Sequence, residues 1–152
     1  MQNPKKNSGP WLMPPRIKIL EALGTIADKR IELKGNLAKV KSSTHEKVYA
    51  VTFDGKNCIT SNDDGSYYKG YLGYPSISFL MLKGILPYDE KIANALKGTK
   101  WKELNEKLKD YYKVEQIIKI RASRLKVKPN EIDEFIHLVL KKLGELELNK
   151  LE

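Results

Sequence analysis

Residues that commonly do chemistry are scarce in this sequence, which has one cysteine, Cys58, and two histidines, His45 and His137. Zinc and other soft-metal sites need several cysteine or imidazole ligands at defined spacing, and the sequence has no such set. A hydroxyl or thiol nucleophile beside one histidine is conceivable, but such parts occur in any chain of this length. We therefore predict no catalytic residue, no metal and no cofactor, and we do not expect an enzyme.

Motifs for phosphate and calcium chemistry are missing as well. No G-x-x-x-x-G-K-[ST] loop is present, and no G-x-G-x-x-G follows a predicted strand. Residues 61–65 superficially suggest a calcium loop, but the alternating oxygen ligands and the distal bidentate glutamate of an EF-hand are absent. An Asx-rich turn between strands is the simpler interpretation of this segment.

Basic residues are the main chemical feature of the chain, with 28 Lys and Arg against 19 Asp and Glu and a formal net charge of +9. The excess is uneven, because residues 1–60 carry +6, residues 61–112 only +1, and residues 113–128 carry +5. Such clusters attract phosphates through counterion release, with little sequence information. The alternative is a solvated basic face whose aliphatic stems cover apolar surface.

Tyrosines are concentrated in residues 67–74, which hold four of the eight in the chain. If residues 66–71 form a strand, Tyr67, Lys69 and Tyr71 share one face, where rings flanking an ammonium group could stack bases and hold a phosphate. The alternative is that these rings pack under helices or in a dimer interface.

Lysines also alternate on two earlier predicted strands. Lys39 and Lys41 share a face of one strand, and Lys47 shares a face with Tyr49 on the next. A sheet that exposes such faces is predicted to act as a nucleic-acid platform.

A helix-turn-helix pattern overlaps the basic segment. It rests on four apolar residues at relative positions 0, +3, +5 and +10: Ala122, Leu125, Val127 and Ile132. Three carboxylates open the second helix within residues 130–134 and would oppose insertion into a groove lined with phosphates, so a packed helix hairpin is the favoured interpretation. Any nucleic-acid contact here is expected at phosphates, through four cations: Arg121, Arg124, Lys126 and Lys128.

An α+β fold must position these residues. Residues 1–14, with three of the seven prolines, are predicted to be a flexible tail, and residues 15–29 a helix. The apolar period then changes from 3.6 to 2, which predicts an antiparallel meander of four or five strands at 31–34, 37–42, 47–53, 56–60 and 66–71. Residues 74–152 are predicted to form four or five helices, packed with the helix and sheet of residues 15–73 as one compact unit.

The leading functional hypothesis is a non-enzymatic cytoplasmic protein that binds DNA or RNA mainly through backbone phosphates. The single cysteine favours a reducing compartment, and the longest apolar stretch is too short to cross a bilayer, so no membrane partner is expected. The alternative is an adaptor or a homo-oligomer, such as a homodimer, that uses the C-terminal amphipathic helix to bind protein, and an enzyme on an anionic substrate is the third candidate. Abundant Lys, Glu and Ile with only two Gln are compatible with a thermophilic source.

Overall fold

The computed structural model of the protein describes residues 7–151, which form six strands, six α-helices and one π-helical turn. The strands are β1 (Asn7–Pro10), β2 (Ile31–Lys34), β3 (Leu37–Lys41), β4 (Val48–Phe53), β5 (Cys58–Ser61) and β6 (Asn149–Leu151). The helices are α1 (Arg16–Ala27), α2 (Tyr74–Leu82), α3 (Glu90–Ala95), α4 (Trp101–Leu108), α5 (Tyr111–Ser123) and α6 (Pro129–Leu146), and the π-helical turn spans Gly65–Lys69.

The strands form one sheet in the order β1-β6-β5-β4-β3-β2. Strands β2 to β5 make the predicted antiparallel meander, while β6 adds parallel to β5 and β1 adds antiparallel to β6. The α+β class is therefore confirmed, with a larger sheet than the sequence pattern indicated. Part of the segment predicted as a tail forms β1, where Pro10 lies on an edge strand and breaks no central ladder; residues 1–6 of that segment lie outside the described residues.

The predicted fifth strand, residues 66–71, is wrong, because this segment begins inside the π-helical turn. The buried carboxylate of Asp63 accepts hydrogen bonds from the hydroxyl of Ser61 at 2.5 Å and from the hydroxyl and backbone N–H of Ser66 at 2.8 and 3.2 Å. These bonds draw the chain into a turn instead of an extended ladder. Gly70 then ends the turn with a φ of +75°, a conformation that glycine adopts without steric cost.

The helices cover one face of the sheet and share one core with it. Helix α2 packs on β2, β4 and β5, α1 packs on α2, and α5 and α6 pack on α1. The core contains the apolar residues of α1, the inward residues of the sheet and the apolar stripe of α6. The other face of the sheet is open, since Lys39 and Lys41 of β3 are exposed while the alternate residues Ala38 and Val40 are buried.

Two helical glycines differ in their surroundings, and this difference predicts opposite effects of alanine. A methyl group at Gly24 in α1 would lie 2.7 Å from Nε1 of the buried Trp101, whereas one at Gly144 in α6 would meet no atom within 4 Å. Alanine is favoured over glycine in helices by about 1 kcal/mol, but overpacking a core costs about 1–3 kcal/mol. We expect Gly144→Ala to raise the free energy of unfolding by up to about 1 kcal/mol and Gly24→Ala to lower it by about 1 kcal/mol. Chemical denaturation measures both, and changes of the same sign would contradict the expected packing.

Candidate nucleic-acid interface and polar cavity

The basic segment 113–128 forms most of α5 and the turn that leads into α6. Its exposed cations, called here the basic face, are Lys113, Arg121, Arg124, Lys126 and Lys128. Among the described residues, no ion pair involves any of these five side chains. The four cations predicted near the helix-turn-helix are thus all exposed, and Lys113 is a fifth exposed cation near the start of α5.

The sixth cation of the segment, Lys119, is not available for binding. It is buried, and its Nζ lies 2.9 Å from Glu115 of α5 and 2.7 Å from Asp133 of α6. Arg16 of α1 pairs with the same two carboxylates at 3.0 and 2.7 Å. Burial works against the charge of Glu115, but hydrogen bonds from Arg16 and Lys119 lower its pKa, and the hydrogen bond from Lys119 leads the effects that lower the pKa of Asp133. This network joins three helices and fixes the orientation of α5.

The carboxylates that open α6 are largely neutralised within the chain. Glu131 accepts a hydrogen bond from the backbone N–H of Lys128 at 2.9 Å and pairs with Lys91 at 3.2 Å. Asp133 belongs to the network described above, and among the described residues Glu134 has no ion pair. The electrostatic objection to nucleic-acid binding at this hairpin is therefore weaker than the sequence indicated.

The predicted hairpin packing holds for three of its four apolar residues. Ala122, Val127 and Ile132 are buried, but Leu125 is 60% exposed. Lys126 adopts a φ of +66°, which turns the chain between the helices and leaves Leu125 outside their contact. Leu125 and the exposed Ile120 therefore lie among the cations of the basic face.

The predicted sheet lysines do not form one surface. Lys39 and Lys41 lie on the open face of the sheet. Lys47 lies in the β3–β4 connection near Asp64, at 3.8 Å, and Tyr49 pairs with the buried Val40 and packs edge-on against Tyr74. Strand alternation thus sends Tyr49 toward the helical side of the sheet, whereas Lys47 lies before β4 begins.

The predicted tyrosine platform is also divided. Tyr67 is 74% exposed on the π-helical turn, beside the exposed Lys69, whereas Tyr71 is half-buried and burial raises its pKa to about 12. Sequence analysis missed Tyr68, which is 73% exposed and meets Tyr67 edge-to-face at 4.8 Å. Strand alternation placed Tyr68 on the opposite face, and only the turn brings the two rings outward together.

A polar cavity of about 270 Å³ lies between the β3–β4 connection, α1, α4 and the loop before the π-helical turn. Its lining includes Lys18 and the buried Glu21, whose Nζ and Oε2 atoms lie 2.9 Å apart. Burial raises the pKa of Glu21, while the Glu21 carboxylate outweighs the burial of Lys18 and raises the pKa of that ammonium group. Sequence analysis missed this cavity because its walls come from segments far apart in the chain, with no local motif.

The chain was compared with models of known protein families. A family model described as Uncharacterised conserved protein UCP014422 matches residues 11–149. The chain belongs to this family. The UCP014422 match includes α5, α6 and every segment that lines the cavity. No curated protein and no solved structure gives a significant match.

In the described part of this UCP014422 family member, no group of three or more His, Cys, Asp or Glu side chains is arranged to hold a metal ion. None of the helices within residues 7–151 is long and apolar enough to cross a membrane.

Proposed function

We propose that this protein binds nucleic acid through backbone phosphates and that the basic face is the main contact. One observation carries this proposal: Glu115 is the only carboxylate within residues 111–130, and it is buried and paired, so the exposed charges of this stretch are all positive. Unpaired cations on a surface release counterions from nucleic acid when they approach its phosphates.

The shape and composition of the basic face also support phosphate contacts. Helix α5 has 13 residues and is therefore about 20 Å long, so its cations can reach several successive phosphates. The exposed Ile120 and Leu125 add apolar contact area between the charges. None of these residues forms a pattern for base reading, so binding is expected to depend weakly on sequence.

Lys39 and Lys41 offer a second contact area on the other side of the molecule. They lie on the open face of the sheet, whereas α5 packs on α1, α3, α4 and α6 in the helical layer. A short duplex cannot contact both sides at once. Variants on the two sides therefore distinguish the basic face from the open sheet face.

The basic face predicts a strong and specific salt effect. Arg121→Ala/Arg124→Ala is expected to reduce the slope of log K against log salt by about 2, because each phosphate contact contributes about 0.9. Fluorescence anisotropy with a labelled duplex and a labelled single strand over a salt series measures this slope. The charge-matched control is Lys97→Ala/Lys107→Ala, which removes two exposed cations outside the basic face, one in the turn after α3 and one in α4.

Three results would contradict the proposal at this site. One is the absence of binding at low salt. Another is an equal loss of slope in the Lys97→Ala/Lys107→Ala control, which would indicate an effect of net charge. The third is a reduced slope in Lys39→Ala/Lys41→Ala with no change in Arg121→Ala/Arg124→Ala, which would move the contact to the sheet.

The alternative of an adaptor or homo-oligomer that binds protein through the C-terminal helix has less support. The apolar stripe of α6 is buried in the core of the same chain, including Ile132, Ile136 and Val139, while Leu138 is exposed. A protein partner would therefore have to use other residues of the surface.

A further inference from the structure

We propose that the nucleic acid bound by this protein is single-stranded and that its bases stack on Tyr67 and Tyr68 of the π-helical turn. This proposal rests on the proposed function and names the class of nucleic acid. None of the five cations of the basic face lies in this turn, so variants in the two places test the two proposals separately.

Two neighbouring aromatic rings are open to solvent on the turn. Tyr67 and Tyr68 are 74% and 73% exposed, although large aromatic side chains gain most when they are covered. Their ring centroids lie 4.8 Å apart and their planes meet at 82°. An edge-to-face contact covers at most one face of one ring, so the other ring faces remain available for stacking on bases.

Hydrogen bonds and packing hold the turn that carries these rings. The buried carboxylate of Asp63 accepts the hydroxyl and the backbone N–H of Ser66, and its backbone carbonyl accepts the N–H of Tyr67 at 2.9 Å. The ring of Tyr71 lies against Gly65, since a methyl group at Gly65 would lie 2.5 Å from that ring. A surface that is already ordered loses little conformational freedom when it binds a ligand.

Two ammonium groups lie at the end of the turn. Lys69 is exposed and directly follows the two rings, and the Nζ of Lys150 would lie 3.4 Å from a methyl group at Gly70. Lys150 also lies over the ring of Trp11, at 5.3 Å from its centroid. Among the described residues, neither lysine has an ion pair. These ammonium groups are therefore available to the phosphates of a strand whose bases stack on the rings.

The turn has no carboxylate of its own, because residues 65–88 contain no Asp or Glu. The exposed Asp64 directly before it pairs with Lys47 at 3.8 Å. Exposed rings beside cations, without intervening carboxylates, are typical of surfaces that bind single strands. Bases inside a duplex are already stacked on their neighbours, so only an unpaired strand can place its bases on these rings.

The turn is also close to the N-terminal end of α5. The Tyr71 ring that packs on Gly65 interacts through its hydroxyl with Tyr111, the first residue of α5. Lys113, the first cation of the basic face, follows two residues later. Single-strand sites commonly extend over about 4–16 nucleotides, so one strand is long enough to contact both the turn and this end of the basic face.

Fluorescence anisotropy at constant low salt tests the proposal with four labelled probes of equal length. They are an oligothymidylate, an oligouridylate, an abasic strand that has the same phosphates without bases, and a duplex. Wild-type protein is expected to bind at least one of the base-bearing strands about tenfold more tightly than the abasic strand. Tighter binding of the oligouridylate assigns the site to RNA, and tighter binding of the oligothymidylate assigns it to DNA.

Variants of the two tyrosines locate the stacking. Tyr67→Ala/Tyr68→Ala is expected to abolish the preference for base-bearing strands and to leave binding of the abasic strand and the duplex unchanged. Tyr67→Phe/Tyr68→Phe retains both rings and is expected to bind like wild type. The control is Tyr88→Ala, which removes a 41% exposed ring next to two acidic residues and is expected to change nothing.

Equal binding of base-bearing and abasic strands by wild-type protein would overturn the proposal and leave phosphate binding at the basic face intact. An unchanged preference in Tyr67→Ala/Tyr68→Ala, or the same loss in the phenylalanine variant, would also overturn it. Self-association of wild type that the alanine variant abolishes, without any preference for bases, would assign the rings to a protein interface. Circular dichroism checks folding, and the wild-type comparison with the abasic strand decides if a variant unfolds.

Failure of the proposed function gives a different result. Absence of binding to all four probes would overturn both proposals. Binding of all four probes with equal affinity, with a salt slope that Arg121→Ala/Arg124→Ala reduces, would overturn only the assignment to single strands.

Discussion

Replacing Glu115 by glutamine is expected to lower the free energy of unfolding by about 2–3 kcal/mol. The buried Glu115 carboxylate lies between Arg16 and Lys119, at 3.0 and 2.9 Å. Its loss leaves Lys119 buried, with only the half-exposed Asp133 as a partner. Removing one member of a buried pair costs about 3–5 kcal/mol, and the remaining partner reduces this figure. Urea denaturation at neutral pH measures the change.

The same network predicts sensitivity to acid. The pKa values of Glu115 and Asp133 are lowered in the folded protein, so both groups contribute stability above the ordinary carboxyl range and lose it as the pH falls below about 4. Wild-type protein is therefore expected to lose stability in acid more steeply than Glu115→Gln. Glu134→Gln is the control, because Glu134 is exposed and has no ion pair among the described residues. Equal stability of wild type and Glu115→Gln at neutral pH would contradict the proposed role of the network.

Gly73→Ala is expected to lower the free energy of unfolding by about 3 kcal/mol. Gly73 precedes α2, and a methyl group there would overlap the carboxylate of Asp63. Asp63 cannot move away easily, because Ser61 and Ser66 hold both of its oxygens. The backbone of Gly73 has a φ of −79°, which alanine adopts readily, so the cost is steric and not conformational.

Thermal denaturation compares this variant with Gly144→Ala, whose methyl group meets no atom. Substitution at Gly73 is also expected to disturb the π-helical turn, because Ser66 Oγ accepts a hydrogen bond from the Gly73 N–H at 3.3 Å. Reduced order of Tyr67 and Tyr68, seen by amide hydrogen exchange around residues 65–70, would accompany the loss. A stability within about 0.5 kcal/mol of wild type would contradict the close contact.

Local patterns predicted those elements whose residues interact mainly with near neighbours. Strand β2 has the predicted bounds, and α6 begins at Pro129, directly before the carboxylates that were predicted to open this helix. Asp54-Gly55 makes a turn between the strands predicted at 47–53 and 56–60, since Gly55 has a φ of +84° and Asp54 accepts hydrogen bonds from the N–H groups of Lys56 and Cys58. Turn and helix periodicities are encoded within a few residues, so sequence analysis recovers them.

Local sequence patterns did not predict the pairing of strands that lie far apart along the chain. Strand β6 lies parallel to β5 although about 90 residues separate them along the chain, with Cys58 opposite Asn149. The side-chain hydrogen bonds of Asp63 likewise overrode the strand propensity of the tyrosine segment. The preference of a segment for a strand is weak compared with the cost of leaving a buried carboxylate without hydrogen bonds.

For the candidate functional surfaces too, some features follow from the local sequence and others only from tertiary packing. Sequence composition by itself determined that residues 113–128 are basic, and exposure of their cations follows from the cost of burying charge. Only the tertiary structure decided which cation is already paired. Lys119 and Arg16 both pair with Glu115 and Asp133, and these residues meet only when three helices pack together. Only folding assembled the cavity, since Glu21, Asp63 and Asn105 are brought together by packing between elements that share no local signal.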